Sequence, residues 1–186
     1  MHKLHVVVAS TRPGRAGLPI AEWFADRARA HGKMEVELVD LLAMSLPLLD
    51  EPKHPRLQQY EHEHTKRWSA KVKEADAFAF VTPEYNFSPA PALVNAIDYL
   101  FTEWKYKPVG FVSYGGLSAG LRAVQAAKML VTSVGMMPIL DAVAIPFFSK
   151  QMQDGKFVGS EENGKAASAM LDELARCAAA LAPLRG

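Results

Sequence analysis

"AFAFVTPEYNFSPAPALVNAIDYLF", residues 77 to 101, changes its period part-way along. Ala77 to Val81 is apolar at every position, the pattern of a strand covered on both faces. From Ala92 onward the apolar residues Leu93, Ile97, Leu100 and Phe101 recur at helical spacing and mark one face of a helix. Between the two lies Pro83-Glu84-Tyr85-Asn86-Phe87-Ser88-Pro89, a polar and aromatic turn with a proline at each end. A strand buried on both faces and followed by an amphipathic helix is the repeating unit of a parallel sheet sandwiched between helices.

The same alternation runs outward from this stretch. Leu4 to Ala9 is a β-branched strand, followed by a Gly/Pro/Arg loop over residues 10 to 17. Ile20, Ala21, Phe24 and Ala28 then define a helix, with Pro19 in its first turn and Gly32 past its end. Met34 to Val39 is a second strand, "LPLLDEPKHP" a proline-studded loop, and Leu57 to Glu74 a charged helix. Val109 to Ser113 is a fourth strand, Ala119 to Val134 a helix and Pro138 to Ala144 a fifth strand. "KQMQDGKFVGSEENGK", residues 150 to 165, reads as an exposed loop or hairpin, and Ala166 to Leu181 as a terminal helix. The expectation is one α/β domain over residues 1–186, a flavodoxin-like three-layer sandwich on a five-stranded parallel sheet of order 2-1-3-4-5.

Composition agrees with a single globular unit. The 186 residues are 49% hydrophobic and 22% charged, enough for one buried core. Lys and Arg number 21 against 20 Asp and Glu, so bulk charge offers no attraction for nucleic acid or an anionic membrane. A single cysteine, Cys177, excludes an internal disulfide and reads as a small buried helix residue. No signal peptide is recognisable and no apolar run approaches bilayer length, so the sequence points to the cytoplasm.

In the expected topology a ligand binds at the carboxyl ends of the strands near the switch point, which selects three loops. The first, "STRPGRAG", offers the hydroxyls of Ser10 and Thr11, the guanidinium groups of Arg12 and Arg15, and glycines ahead of a helix amino terminus. It reads either as a phosphate cradle or as a solvated turn, and matches neither GxxxxGK[ST] nor GxGxxG. The second and third, "TPEYNFSPAP" and "SYGGLSAG", combine Tyr85, Phe87 and Tyr114 with backbone N–H donors, which suits a planar heterocycle. Ser88 and Ser118 are candidate helix caps. Glu84 reads as an ion-pair residue, and Arg122 as reaching either a ligand or an acid. "EHEH" at residues 61 to 64 is a solvated helix face rather than a metal site.

Three segments, "STRPGRAGLPIAEW", "TPEYNFSPAPALVNAIDYL" and "SYGGLSAGLRAVQ", in this order, resemble the NADPH-dependent FMN reductase family of flavodoxin-like proteins. "LPLLDEP" resembles the family's second-strand loop. The resemblance implies non-covalent FMN, with Ser10, Arg12, Arg15 and Gly17 around its phosphate. It places Pro83, Glu84, Tyr85 and Asn86 along the isoalloxazine ring, and Ser113, Gly115 and Gly116 at the pyrimidine side. Two positions depart from the pattern: Ala9, where many relatives carry glycine, and Phe87, where a small residue is common.

The implied activity is hydride transfer from NADPH or NADH to flavin N5, then reduction of a quinone, azo, metal-oxyanion or flavin acceptor. No side-chain acid–base pair is required, so no catalytic residue is singled out and no metal ligand is expected. The resemblance also implies a homodimer or homotetramer, with Tyr85, Phe87, Trp104 and Tyr106 as contact candidates beside an equal reading as core residues. Two alternatives are a flavodoxin-like electron carrier and an FMN-binding module without nicotinamide activity. The near-neutral charge argues against the carrier, which docks through acidic surfaces.

Overall fold

The computed structural model describes residues 1–185. Its parallel sheet runs β2 (Glu35–Asp40), β1 (Lys3–Val8), β3 (Ala77–Pro83), β4 (Pro108–Tyr114), the expected order 2-1-3-4, with a fifth position beyond β4. The helices are α1 (Gly17–His31), a single turn α2 (Leu41–Met44), α3 (Glu63–Glu74), α4 (Pro91–Asp98), α5 (Leu121–Ser133) and α6 (Glu161–Leu181). Helices α1 and α6 cover one face of the sheet, and α3, α4 and α5 the other.

Strand β3 shows why the pattern is apolar at every position. Ala77, Ala79 and Val81 face α1 and α6, while Phe78 and Phe80 enter the opposite core with Trp68 and Trp104. Small residues on one face let helix α6 approach closely. At Gly110 of β4 an added Cβ would lie 2.6 Å from Met170 Cε, so the Met170 side chain of α6 lies directly on the glycine and would have to shift for any larger residue. Opposite, Trp68 donates its indole N–H to Ala96 O at 2.8 Å and Trp104 donates to Ile97 O at 3.1 Å. Trp104 is therefore a core residue and not a surface contact, with 1% of its surface exposed. Tyr106 remains outside, 43% exposed.

The fifth position departs from the expected Pro138–Ala144 strand. It is built from two short pieces, β5 (Met137–Pro138) against the start of β4 and β6 (Val143–Ile145) against its end. Pro138 supplies no N–H, and after Ile139 bonds Val109 O the chain leaves the ladder, with Leu140 exposed. The charged helix is also shorter than expected, because Pro55–Leu57 forms a separate 3-10 turn. Glu51 supplies the start signal for α3 by accepting from the N–H groups of Glu61 and His62 at 2.9 and 3.0 Å. His62 thus precedes the helix, and its ring stacks on His64 with centroids 5.1 Å apart. His64 Nε2 and the Tyr99 hydroxyl meet on Asp50 Oδ1, each at 2.9 Å.

Residues 152 to 157 form the anticipated hairpin, β7 (Met152–Gln153) and β8 (Lys156–Phe157). Helix α6 starts at Glu161, ahead of the expected Ala166, because Ser160 and Asn163 form a reciprocal capping box. Cys177 is half-buried on α6, and burial pushes its thiol up, away from a reactive thiolate. No helix among the described residues is long and apolar enough to cross a membrane.

One ionic cluster lies at the outer edge of the sheet. His5 Nε2 sits 3.2 Å from Glu37, and the Lys71 ammonium bridges Glu37 and Glu74 at 2.9 and 2.8 Å. The three ligand-type residues His5, Glu37 and Glu74 are close enough to share a cation, and Lys71 already supplies one. Burial holds His5 down to about 4, against the opposing pull of Glu37. A histidine depressed in the folded state destabilises as pH falls, because the unfolded chain binds the proton first. Stability should be full above about pH 6.5 and fall by roughly 2–3 kcal/mol on acidification towards pH 4. Proton NMR of the His5 ring checks this directly: a midpoint near 4 is expected, and one near 6.5 contradicts it.

Candidate active site

The loops leaving β1, β3 and β4 converge on one cleft of about 410 Å³. Its walls are Arg12 to Ala16, Pro83 to Tyr85, Tyr114 to Gly116, and Phe148. The sheet register causes the convergence: Val8 pairs with Val81, and Pro83 with Tyr114, so the three loops emerge from adjacent strands. Neighbouring strands are about 4.8 Å apart, which sets the loops side by side across roughly 10 Å.

On the β1 side, Ser10 is fully buried; its hydroxyl completes no well-formed hydrogen bond, and the Tyr114 hydroxyl is its polar neighbour. Gly17 starts α1 directly beside it, and a Cβ there would fall 2.2 Å from Ser10 Oγ and 2.6 Å from the Tyr114 hydroxyl. The helix has no side-chain cap, so its first N–H groups face the loop unclaimed by Ala16. Arg12 is exposed, whereas Arg15 is held by Asp40 through both guanidinium branches. Asp40 had no part in the sequence reading: a carboxylate ending the second strand carries no local mark of its partner.

On the β3 side, Tyr85 and Ser88 exchange backbone bonds at 2.9 and 3.0 Å around Asn86 and Phe87. Both central residues have positive φ, 50° and 68°, the conformation of a type I′ turn. Asn tolerates that region, while Phe87 occupies a position that favours glycine. The Arg122 guanidinium lies 3.9 Å from the centre of the Phe87 ring, giving the exposed side chain a partner. The Tyr85 N–H is consumed within the turn and is not available to a ligand.

Glu84 ties the second and third loops together. Its Oε1 accepts from Arg122 Nε at 2.7 Å and its Oε2 from Ser118 Oγ at 3.1 Å and Arg122 N at 3.2 Å. The ion pair anticipated for Glu84 is thus intramolecular, and Arg122 is committed to it. Burial acts to raise the Glu84 carboxyl, but Arg122 and Ser118 outweigh it and hold the group below its ordinary range. Neither Ser118 nor Ser88 caps a helix: α4 begins after Ala90 and α5 after Gly120, without side-chain bonds from either cap. Glu84 takes over that duty at α5.

On the β4 side, Gly115 spends its N–H on Ile145 O at 3.2 Å, whereas a Cβ on Gly116 would meet nothing within 4 Å. Ser113 Oγ is buried without a partner at the base of this loop. Burial raises the Tyr114 hydroxyl to about 12, against the Ser10 hydroxyl and the Arg15 charge, so it stays protonated. Phe148 completes the wall, edge-on to Tyr114 at 5.2 Å. Sequence reading missed it, though its place after the fifth strand was the available signal.

The cleft offers groups that fit a flavin mononucleotide: a buried hydroxyl, an exposed guanidinium and a helix amino terminus able to take a phosphate, and an open glycine edge with aromatic walls able to take a planar ring. The model of the NADPH-dependent FMN reductases matches residues 2–150. The chain belongs to that family. It is 36% identical over 147 residues to an NAD(P)H-dependent FMN reductase of Schizosaccharomyces pombe, covering 77% of this chain and 74% of that one. It is 29% identical to an NADPH azoreductase of a Bacillus species, over 93% of this chain and 89% of the relative. Among solved structures, the flavoenzyme NAD(P)H:(acceptor) oxidoreductase FerB of Paracoccus denitrificans superposes with a TM-score of 0.77 at 21% identity, over 96% of this chain and 97% of that one. That likeness establishes the flavodoxin-like fold.

Glu84 offers the sharpest test of the geometry of this family member. Glu84→Ala leaves Ser118 and the α5 amino terminus without their acceptor and should cost about 1–2 kcal/mol in urea unfolding, since Arg122 and its backbone N–H remain open to water. A loss below about 0.5 kcal/mol would show that the two loops do not depend on this tie.

Proposed function

We propose that the cleft binds FMN with its phosphate in the Ser10–Gly17 loop and its ring between Pro83–Asn86 and Ser113–Gly116, and that the chain reduces a small-molecule acceptor with NAD(P)H. The observation that carries the reading is the buried, unpartnered Ser10 hydroxyl beside the uncapped start of α1. When bound, FMN accepts a hydride from NAD(P)H and passes the reducing equivalents to the second substrate. The protein's own part is to bind and orient. Ser10, Arg12 and the first N–H groups of α1 hold the phosphate; Gly116 lets the ring edge approach the backbone; Tyr85, Tyr114 and Phe148 exclude water from the ring. No side chain in the cleft needs to move a proton.

Quinones, azo compounds, metal oxyanions and free flavin are the acceptor classes, and a cytoplasmic location suits the co-substrate. A homodimer or homotetramer is supported by the apolar surface beside the cleft. There Leu42 and Leu48, 50% and 84% exposed, border a second hollow of about 360 Å³ that reaches Thr11 and Pro91. Phe87, 62% exposed, is a further exposed apolar side chain on the turn after β3.

The electron-carrier alternative is less favoured by a chain with a net charge of +1. Anaerobic titration of FMN-loaded protein with NADPH and then NADH tests the assignment. Loss of the oxidised flavin band at about one equivalent is the expected result. A band that persists with both donors yet bleaches with dithionite would assign a carrier or flavin-binding module. Sedimentation of the same sample should show a dimer or tetramer, and a monomer at micromolar concentration would remove that part of the reading.

A further inference from the structure

The two arginines of the loop after β1 differ in kind. Arg12 and Arg15 bracket a tight turn in which Arg15 N donates to Arg12 O at 3.2 Å across Pro13 and Gly14. Gly14 has a φ of 71°, so this is the Pro-Gly turn that requires glycine at its third position. One end of the turn is anchored. Arg15 Nη1 donates to Ser10 O and to Asp40 Oδ1, each at 2.6 Å, and Nη2 donates to Asp40 Oδ2 at 2.5 Å. Its side chain is only 10% exposed. The other end carries Arg12, which is exposed and has no carboxylate partner among the described residues.

We propose that Asp40 and Arg15 form a positioning pair that holds this loop in its anion-binding shape and leaves Arg12 as the guanidinium that meets the flavin phosphate. The proposal rests on the flavin reading of the cleft. Charge accounting supports it: a phosphate approaching Arg15 also approaches the carboxylate that already neutralises it, whereas Arg12 presents an unshared charge. Asp40 is itself fixed, because Oδ1 also accepts from Leu42 N at 3.0 Å and so caps α2. It lies opposite Val8 in the β1–β2 ladder, so the brace connects the loop to the rigid end of a neighbouring strand. Burial acts to raise the Asp40 carboxyl, and Arg15 with Leu42 outweighs it, keeping the group ionised for the pair.

Affinities for FMN and for riboflavin, which lacks the phosphate, read the pair separately from the ring site. They are measured by flavin-fluorescence quenching on the full chain and on Asp40→Asn, Arg15→Met, the double variant and Arg12→Ala. Asp40→Asn and Arg15→Met should each weaken FMN about tenfold while riboflavin shifts by less than about twofold. The double variant should be no weaker than either single change, since both remove one interaction. Arg12→Ala should lower FMN affinity by at least as much.

Asp40→Asn with unchanged or tighter FMN binding would overturn the proposal, because Arg15 would then be a phosphate ligand restrained by Asp40. A parallel fall in both flavins would also overturn it, marking a general fold defect. Failure of the unmodified chain to bind either flavin would instead sink the flavin reading.

Discussion

In a parallel sheet each strand must be returned to its starting edge by a crossover, so the carboxyl ends of β1, β3 and β4 emerge side by side. The rest of the molecule follows from that constraint. Three connections that are remote in sequence are forced into one cleft, and their side chains must be compatible with each other before they can serve a ligand. The protein meets this requirement with two ionic ties. Arg15–Asp40 fastens the first loop to the end of β2, and Glu84–Arg122 fastens the second loop to the start of α5. Both ties have at least one side chain largely withdrawn from water and hydrogen bonds on more than one side, so they differ from exposed pairs such as Lys165–Glu161.

Tying loops with charges also selects which charges remain for a ligand. Arg15 and Arg122 are neutralised within the chain, while Arg12 is left open at the mouth of the cleft. Two of the buried polar atoms without protein partners, Ser10 Oγ and Ser113 Oγ, lie at the carboxyl ends of β1 and β4, at the proposed flavin site. The Phe87 turn extends the same economy of parts to the entrance. An aromatic residue is kept at a left-handed position, and its ring covers the guanidinium that Glu84 has fixed.

Much of this was legible in the sequence because its cause is local. Periodicity in residues 77 to 101 reveals strand, turn and helix, since a strand buried on both faces has to be apolar throughout. The order of the sheet and the choice of loops follow from connection rules. What was not legible depends on contacts across the chain. Asp40 looks like any strand-end acid until β2 is laid beside β1. Trp104 reads equally as a contact or a core aromatic until Phe78 and Phe80 are seen to enclose it. The split of the fifth strand depends on how Pro138 meets β4, and the stacking of His62 on His64 on a helix start set by Glu51, well before it in the chain.

The central claim is that the three loops form one flavin site at the carboxyl ends of the strands. Backbone amide shifts in a two-dimensional ¹H–¹⁵N NMR spectrum, recorded as FMN is added, test it most directly. The account predicts saturable shifts at Ser10, Arg12, Gly17, Glu84 and Gly116. The opposite end of the sheet, around Lys107 and Arg185, should stay unchanged. Shifts concentrated at that far end, or the absence of any change at Ser10 and Gly116 under saturating FMN, would contradict it.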